Sequence, residues 1–186
     1  MIPIASLLLP VLLAAVAVFA YSFLAWMVLP HHRRDIRPLP NEVPLVEAIA
    51  AMDIEPGLYM FPNCEDPADY RSEAFLARYR QGPWGTLTIR PSKPNFGANL
   101  GLSMVLYLLV AFGSAWVVSL AVTDAATFGA VFGPALMIGF LAYGVGPLCG
   151  ASFLGKPVRF MLTDLLDATV SAGLNAAVLA LLWPAG

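Results

Sequence analysis

The 186 residues are 59% hydrophobic and 12% charged, with a mean hydropathy of +0.76, whereas a soluble domain averages about 45–50% apolar and roughly 25% charged residues. An ordinary soluble domain is thereby excluded, and a formal net charge of −2 with a pI near 5.6 leaves no basic surface for nucleic acid. Cys64 and Cys149 are the only cysteines and form no C-x-x-C pair, which argues against a disulfide scaffold or a cysteine-built metal site.

A bilayer-spanning helix needs about 20 mainly apolar residues, and four stretches qualify. The first runs from about residue 2 to residue 29 and carries no Asp, Glu, Lys or Arg. A secretory signal would want a cation ahead of its apolar core and a small-x-small site behind it. Tyr21, Phe23 and Trp26 fill that region instead, so the segment reads as an uncleaved span with Trp26 as its interfacial anchor. Pro3 and Pro10 make its helix firmest from about Val11. It has no glycine and only Ser6 and Ser22 as polar groups. Without a small-xxx-small face it is expected to pack weakly on the other spans and to keep an apolar surface for another protein, lipid or a pigment.

Residues 31–97 form a polar segment, read as a small α+β insert. Asn41 is expected to cap a helix through Val43, Leu45, Val46 and Ile49, with Pro44 in its first turn. Gly57–Phe61 reads as a strand, Asp66-Pro67 as the start of a helix reaching about Arg80, and Gly85–Arg90 alternates at the strand period. His31 and His32 are the only histidines. Chain neighbours point in different directions and lack the i, i+4 spacing that offers two imidazoles to one metal. Together with Arg33, Arg34 and Arg37 they are read as solvated contacts to an anionic membrane surface.

The second span is expected over about 98–122, the third over about 126–148 after Thr123-Asp124-Ala125, and the fourth over about 162–183 after Gly155-Lys156-Pro157. In the third, Gly129 and Gly133 offer a close-contact face, with a kink expected at Pro134. The domain reading is therefore a helix at 1–30, the insert at 31–97 and a three-helix membrane bundle at 98–186. Eight of the ten cations, Arg33 to Lys93, lie between spans one and two, and Lys156 and Arg159 lie between spans three and four. Cations near span ends stay on the cytoplasmic side. The expected topology is a multi-pass protein of a bacterial inner membrane with the insert in the cytoplasm and both termini outside.

Asp164, Asp167, Ser171 and Asn175 recur at spacings of three, four and four in span four, within roughly an 80° stripe at about 100° per residue. Asn99, Ser103 and Ser114 make a fainter stripe on span two, and facing the two together would satisfy both. The two aspartates are expected in the first turn, where the helix dipole favours anions, with Ser171 and Asn175 bonding a neighbouring helix. The other reading is an ion or proton path entered through the carboxylates. No nucleophile elbow, phosphate loop, H-E-x-x-H or carboxylate-rich metal motif occurs. No catalytic residue, cofactor or metal is expected.

Leu29-Pro30-His31-His32-Arg33 with Leu39-Pro40, Gly57-Leu58-Tyr59-Met60-Phe61-Pro62, Gly82-Pro83-Trp84-Gly85, and Gly155-Lys156-Pro157 leading through Asp164 and Asp167 to Trp183-Pro184 give the chain a resemblance. It resembles uncharacterised bacterial inner-membrane proteins with one transmembrane helix, a cytoplasmic insert and three further helices. The resemblance implies that architecture and supplies no catalytic residue. The functional expectation is a non-enzymatic accessory or scaffolding subunit of a larger membrane complex, respiratory or photosynthetic among the candidates. It would meet the bilayer and other subunits through helix 1 and the insert. The alternative is a small oligomeric transporter or channel using the polar stripe.

Overall fold

The computed structural model describes residues 2–122 and 126–184. The turn expected at Thr123-Asp124-Ala125 and the final Ala185-Gly186 lie outside the described residues. Four helices are long and apolar enough to cross a membrane: Ile4–Val28, Phe96–Ala121, Phe128–Phe153 and Val158–Leu181. The chain divides into two compact units, one made of residues 1–36, 95–152 and 156–186, the other of residues 37–94 with 153–155. Residues 31–36 thus belong with the long helices rather than with the insert.

In the first unit, α1 (Ile4–Phe23) continues into a π turn over Leu24–Val28. Leu29 is extended, as a residue before proline prefers, so the helix stops at Pro30 and a 3-10 turn follows at His31–Arg34. Numbering the elements in chain order, the unit is completed by α4 (Phe96–Ala121), α5 (Phe128–Phe140), a π turn at Leu141–Val145, α6 (Gly146–Phe153) and α7 (Val158–Leu181). Helix α1 packs on α4 and α7, and α5 packs on α7 and α4. The shared core holds Leu7, Val11, Ala14 and Ala15 from α1, Ala111, Ala115 and Val118 from α4, Val131 and Ala135 from α5, and Ala176 and Leu179 from α7. Lipid tails are as apolar as these residues, so close backbone approach and dispersion, not apolarity, hold such helices together. The expectation that span one packs weakly on the others therefore fails: Leu7, Pro10, Val11, Ala14, Ala15 and Val18 form its buried face.

The third span differs from expectation at its glycines. A Cβ on Gly129 or Gly133 would meet nothing within 4 Å, whereas one on Gly139 would stand 3.2 Å from both Cα and Cβ of Ala172. One on Gly144 would stand 3.2 Å from Ala168 Cβ. The close-contact face is thus Gly139 and Gly144 against α7. The helix also runs through Pro134. Its irregularity falls seven residues later, in the π turn, which brings Gly144 against Ala168 and Leu165.

The second unit contains α2 (Val43–Ala51), β1 (Gly57–Phe61), a 3-10 turn at Pro67–Arg71, α3 (Glu73–Gln81) and β2 (Gly85–Ile89). Strands β1 and β2 pair antiparallel from Gly57↔Ile89 to Phe61↔Gly85. A Cβ at Gly85 would lie 2.7 Å from the tip of the exposed Phe61 ring, which would have to swing aside to admit it. Pro44 sits in the first turn of α2 as expected, but Glu42 is the residue that precedes the helix and Asn41 lies in the turn before it. The helix expected from Asp66 to about Arg80 is two pieces. Asp66 accepts from Ala68 N at 2.8 Å to cap the 3-10 turn. Ser72, extended, then accepts from Phe75 N at 3.2 Å to cap α3 anew.

Candidate functional site

The most concentrated polar chemistry lies where the chain leaves span one. Helix α7 begins at Val158, several residues before the expected start. Asp167 is consequently its tenth residue, about 13 Å from the first at 1.5 Å per residue, beyond the reach of the helix-dipole effect. Other groups hold the carboxylate instead. The Tyr21 hydroxyl donates to Oδ1 at 2.8 Å, His31 Nε2 lies 2.9 Å from Oδ1, and His32 Nε2 lies 2.6 Å from Oδ2. The other ring nitrogen of His32, Nδ1, stands 2.9 Å from Asp35 Oδ2. Asp35 also accepts from the Arg159 guanidinium, whose second nitrogen donates to the His31 carbonyl at 2.9 Å.

The expectation of two solvated histidines pointing apart does not hold. His32 is buried, its ring stacked on Trp26 at 3.9 Å and 6°, with Phe160 edge-on at 6.2 Å. Neighbouring side chains diverge on a strand or α-helix; in this 3-10 turn the two imidazoles converge, with centroids 4.5 Å apart. The ligand-capable atoms of His31, His32 and Asp167 all lie within 4.8 Å of one another. Arg33, Arg34 and Arg37 are exposed.

A cavity of about 160 Å³ adjoins this cluster, lined by Tyr21, Tyr107, Tyr143, Asp164, Asp167 and Ser171 among others. Tyr107 donates to Ser22 Oγ at 2.9 Å and meets the Tyr143 ring edge-on at 6.0 Å. The buried Tyr143 hydroxyl has no hydrogen-bond partner among the described residues. Asp164 accepts from Lys156, whose ammonium lies 3.8 Å from the centre of the Phe160 ring.

The two polar stripes meet only in part. Asn175, fully buried, donates through Nδ2 to Ser114 Oγ at 3.3 Å. Asn99 is exposed, and Ser103 donates back to the Asn99 carbonyl at 2.9 Å. The stripe on α7 thus divides into Asp164 and Asp167 at the cavity, Ser171 on its wall, and Asn175 deeper in the core. A sequence signal for the His–Asp cluster did exist: His31 and His32 follow Trp26 at one end of span one, the same end to which counting back from Trp183 assigns Asp167.

The insert presents a different kind of site. Among residues 37–94 only Phe75 is buried, packed by Tyr70 at 5.0 Å and Tyr79 at 5.6 Å. Val43, Leu45, Val46, Leu58, Met60 and Trp84 are exposed. No protein-family model, no curated protein and no solved structure matches the chain.

Proposed function

We propose that this chain is a non-enzymatic accessory or scaffolding subunit of a larger complex in a bacterial inner membrane, with the insert on the cytoplasmic side as its docking module. The observation that carries this reading is the insert's surface, which buries a single apolar side chain, Phe75, and leaves large apolar residues exposed on a stretch outside the four long apolar helices. Exposed apolar patches on water-facing units mark interaction sites. The outward Leu8, Leu9 and Leu12 of α1, each about half exposed, would face lipid or a neighbouring subunit. Respiratory and photosynthetic assemblies are the candidate complexes.

The protein purified from its native membrane in mild detergent should migrate well above its 19.9 kDa mass together with a stoichiometric companion. Leu58 and Met60 share one face of β1 by the two-residue period, and the double variant Leu58→Ser with Met60→Ser should release the chain from that companion while leaving it folded. A monodisperse monomer from native membrane would overturn the subunit reading. A second reading, a small oligomeric transporter, is favoured by the cavity onto which Asp164 and Asp167 open. It predicts flux in liposomes that Asp167→Asn abolishes.

A further inference from the structure

We infer that His31, His32 and Asp167 form a binding site for one divalent transition-metal ion of the Zn²⁺ class, a clip that ties the end of span one to span four. Three donors of the types that zinc prefers, two imidazole nitrogens and a carboxylate oxygen, converge from two places more than 130 residues apart in sequence. Ligands at about 2.0–2.1 Å in a tetrahedron stand roughly 3.3 Å from each other. The 2.6 Å between His32 Nε2 and Asp167 Oδ2 has to open by about 0.7 Å to admit the ion, and His31 Nε2, now 2.9 Å from Oδ1, has to turn toward it.

The surroundings of His32 carry the argument further. Its Nδ1 faces Asp35 Oδ2 at 2.9 Å, and the Asp35 side chain is 1% exposed and bonded to Arg159. A carboxylate there can accept a hydrogen bond from Nδ1, the arrangement in which Nε2, 2.6 Å from Asp167 Oδ2, is the nitrogen that ligates. A carboxylate on the far nitrogen of a histidine ligand is the usual outer support of a metal site. The stacked Trp26 ring holds the imidazole plane in place. Asp167 can coordinate through Oδ2 while Oδ1 keeps the Tyr21 hydroxyl, and water takes the fourth position.

The test is titration of the full-length, chelator-stripped protein in detergent with Co²⁺, followed by displacement with Zn²⁺. The wild type should develop the visible d–d absorption of four-coordinate Co²⁺ at one equivalent, and Zn²⁺ should bleach it and raise the unfolding temperature. Asp167→Asn and His32→Ala should abolish the band. Asp35→Asn, which leaves all three ligands in place, should weaken binding by about 10–100-fold. Asp164→Asn, which lines the same cavity outside the cluster, should bind as the wild type does. A wild type that gives neither the Co²⁺ band nor a Zn²⁺-dependent rise in unfolding temperature would overturn the inference and leave a proton as the bridge. A band that persists in Asp167→Asn would overturn it equally. Both readouts are taken on the isolated chain, so they stand or fall independently of any partner complex.

Discussion

Asn175 shows how a buried polar group in an apolar helix changes the expected sign of a substitution. Its Nδ2 donates to Ser114 Oγ at 3.3 Å, but its Oδ1 is buried with no partner among the described residues. Ser114 keeps its own bond to the Val110 carbonyl at 2.8 Å whether or not Asn175 is present. Asn175→Leu, which branches at the same carbon, gives up one interhelical bond, about 0.6 kcal/mol on average. It also removes an unsatisfied oxygen whose burial costs about 1–3 kcal/mol. The variant should unfold no lower in temperature than the wild type in detergent, whereas Asn175→Asp, placing a carboxylate in the same dry position, should unfold markedly lower. At this scale the stripe of Asp164, Asp167, Ser171 and Asn175 was legible because it lies within one helix at helical spacing. The sequence puts His31, His32 and Asp167 at the same end of the long helices, but not their contact, because the histidines reach Asp167 through a π turn, a proline stop and a 3-10 turn. No residue spacing encodes that path.

Helix contacts follow the same division between local and non-local information. Gly129 and Gly133 carry the spacing of a small-residue interface, and Gly139 and Gly144 do not, yet the latter pair touch α7. Spacing identifies a face that could pack; which face does pack depends on where the neighbouring helix lies. Gly139→Ala would set a methyl 3.2 Å from the Ala172 backbone, where no flexible side chain can yield. Helices α5 and α7 would have to separate, at the cost of about 1–3 kcal/mol typical of overpacking. Gly133→Ala meets open space and should be neutral within about 0.5 kcal/mol. Thermal unfolding of the two variants side by side would test the assignment; equal destabilisation would show that the interface lies elsewhere. In the insert, short-range signals served better. Strand β1 falls at 57–61 as expected and β2 at 85–89, within the alternating stretch that reaches Arg90, while Ser72 splits the expected helix because its own cap competes with continuation.

For the whole molecule, charge is the quantity that distinguishes the two ends of the long helices. Arg33, Arg34, Lys156 and Arg159 flank the end at which the polar cluster lies, and the described residues at the opposite end, Val122, Ala126, Thr127 and Trp183, bear no charge. Cations within short reach of a span are held back from translocation, so the cation-bearing end should face the cytoplasm and the end without Lys or Arg, where the sequence places Asp124, the outside. Cys64 and Thr127 are separated by one span, α4, and must therefore lie on opposite sides of any membrane that α4 crosses. In a Cys149→Ser background, an impermeant maleimide added to intact bacterial cells should label Thr127→Cys, which is exposed before α5. The half-buried Cys64 should react only after permeabilisation, which also shows that it is reachable. Labelling of Cys64 in intact cells with Thr127→Cys protected would invert the orientation and put the insert, and any partner that it binds, outside the cell.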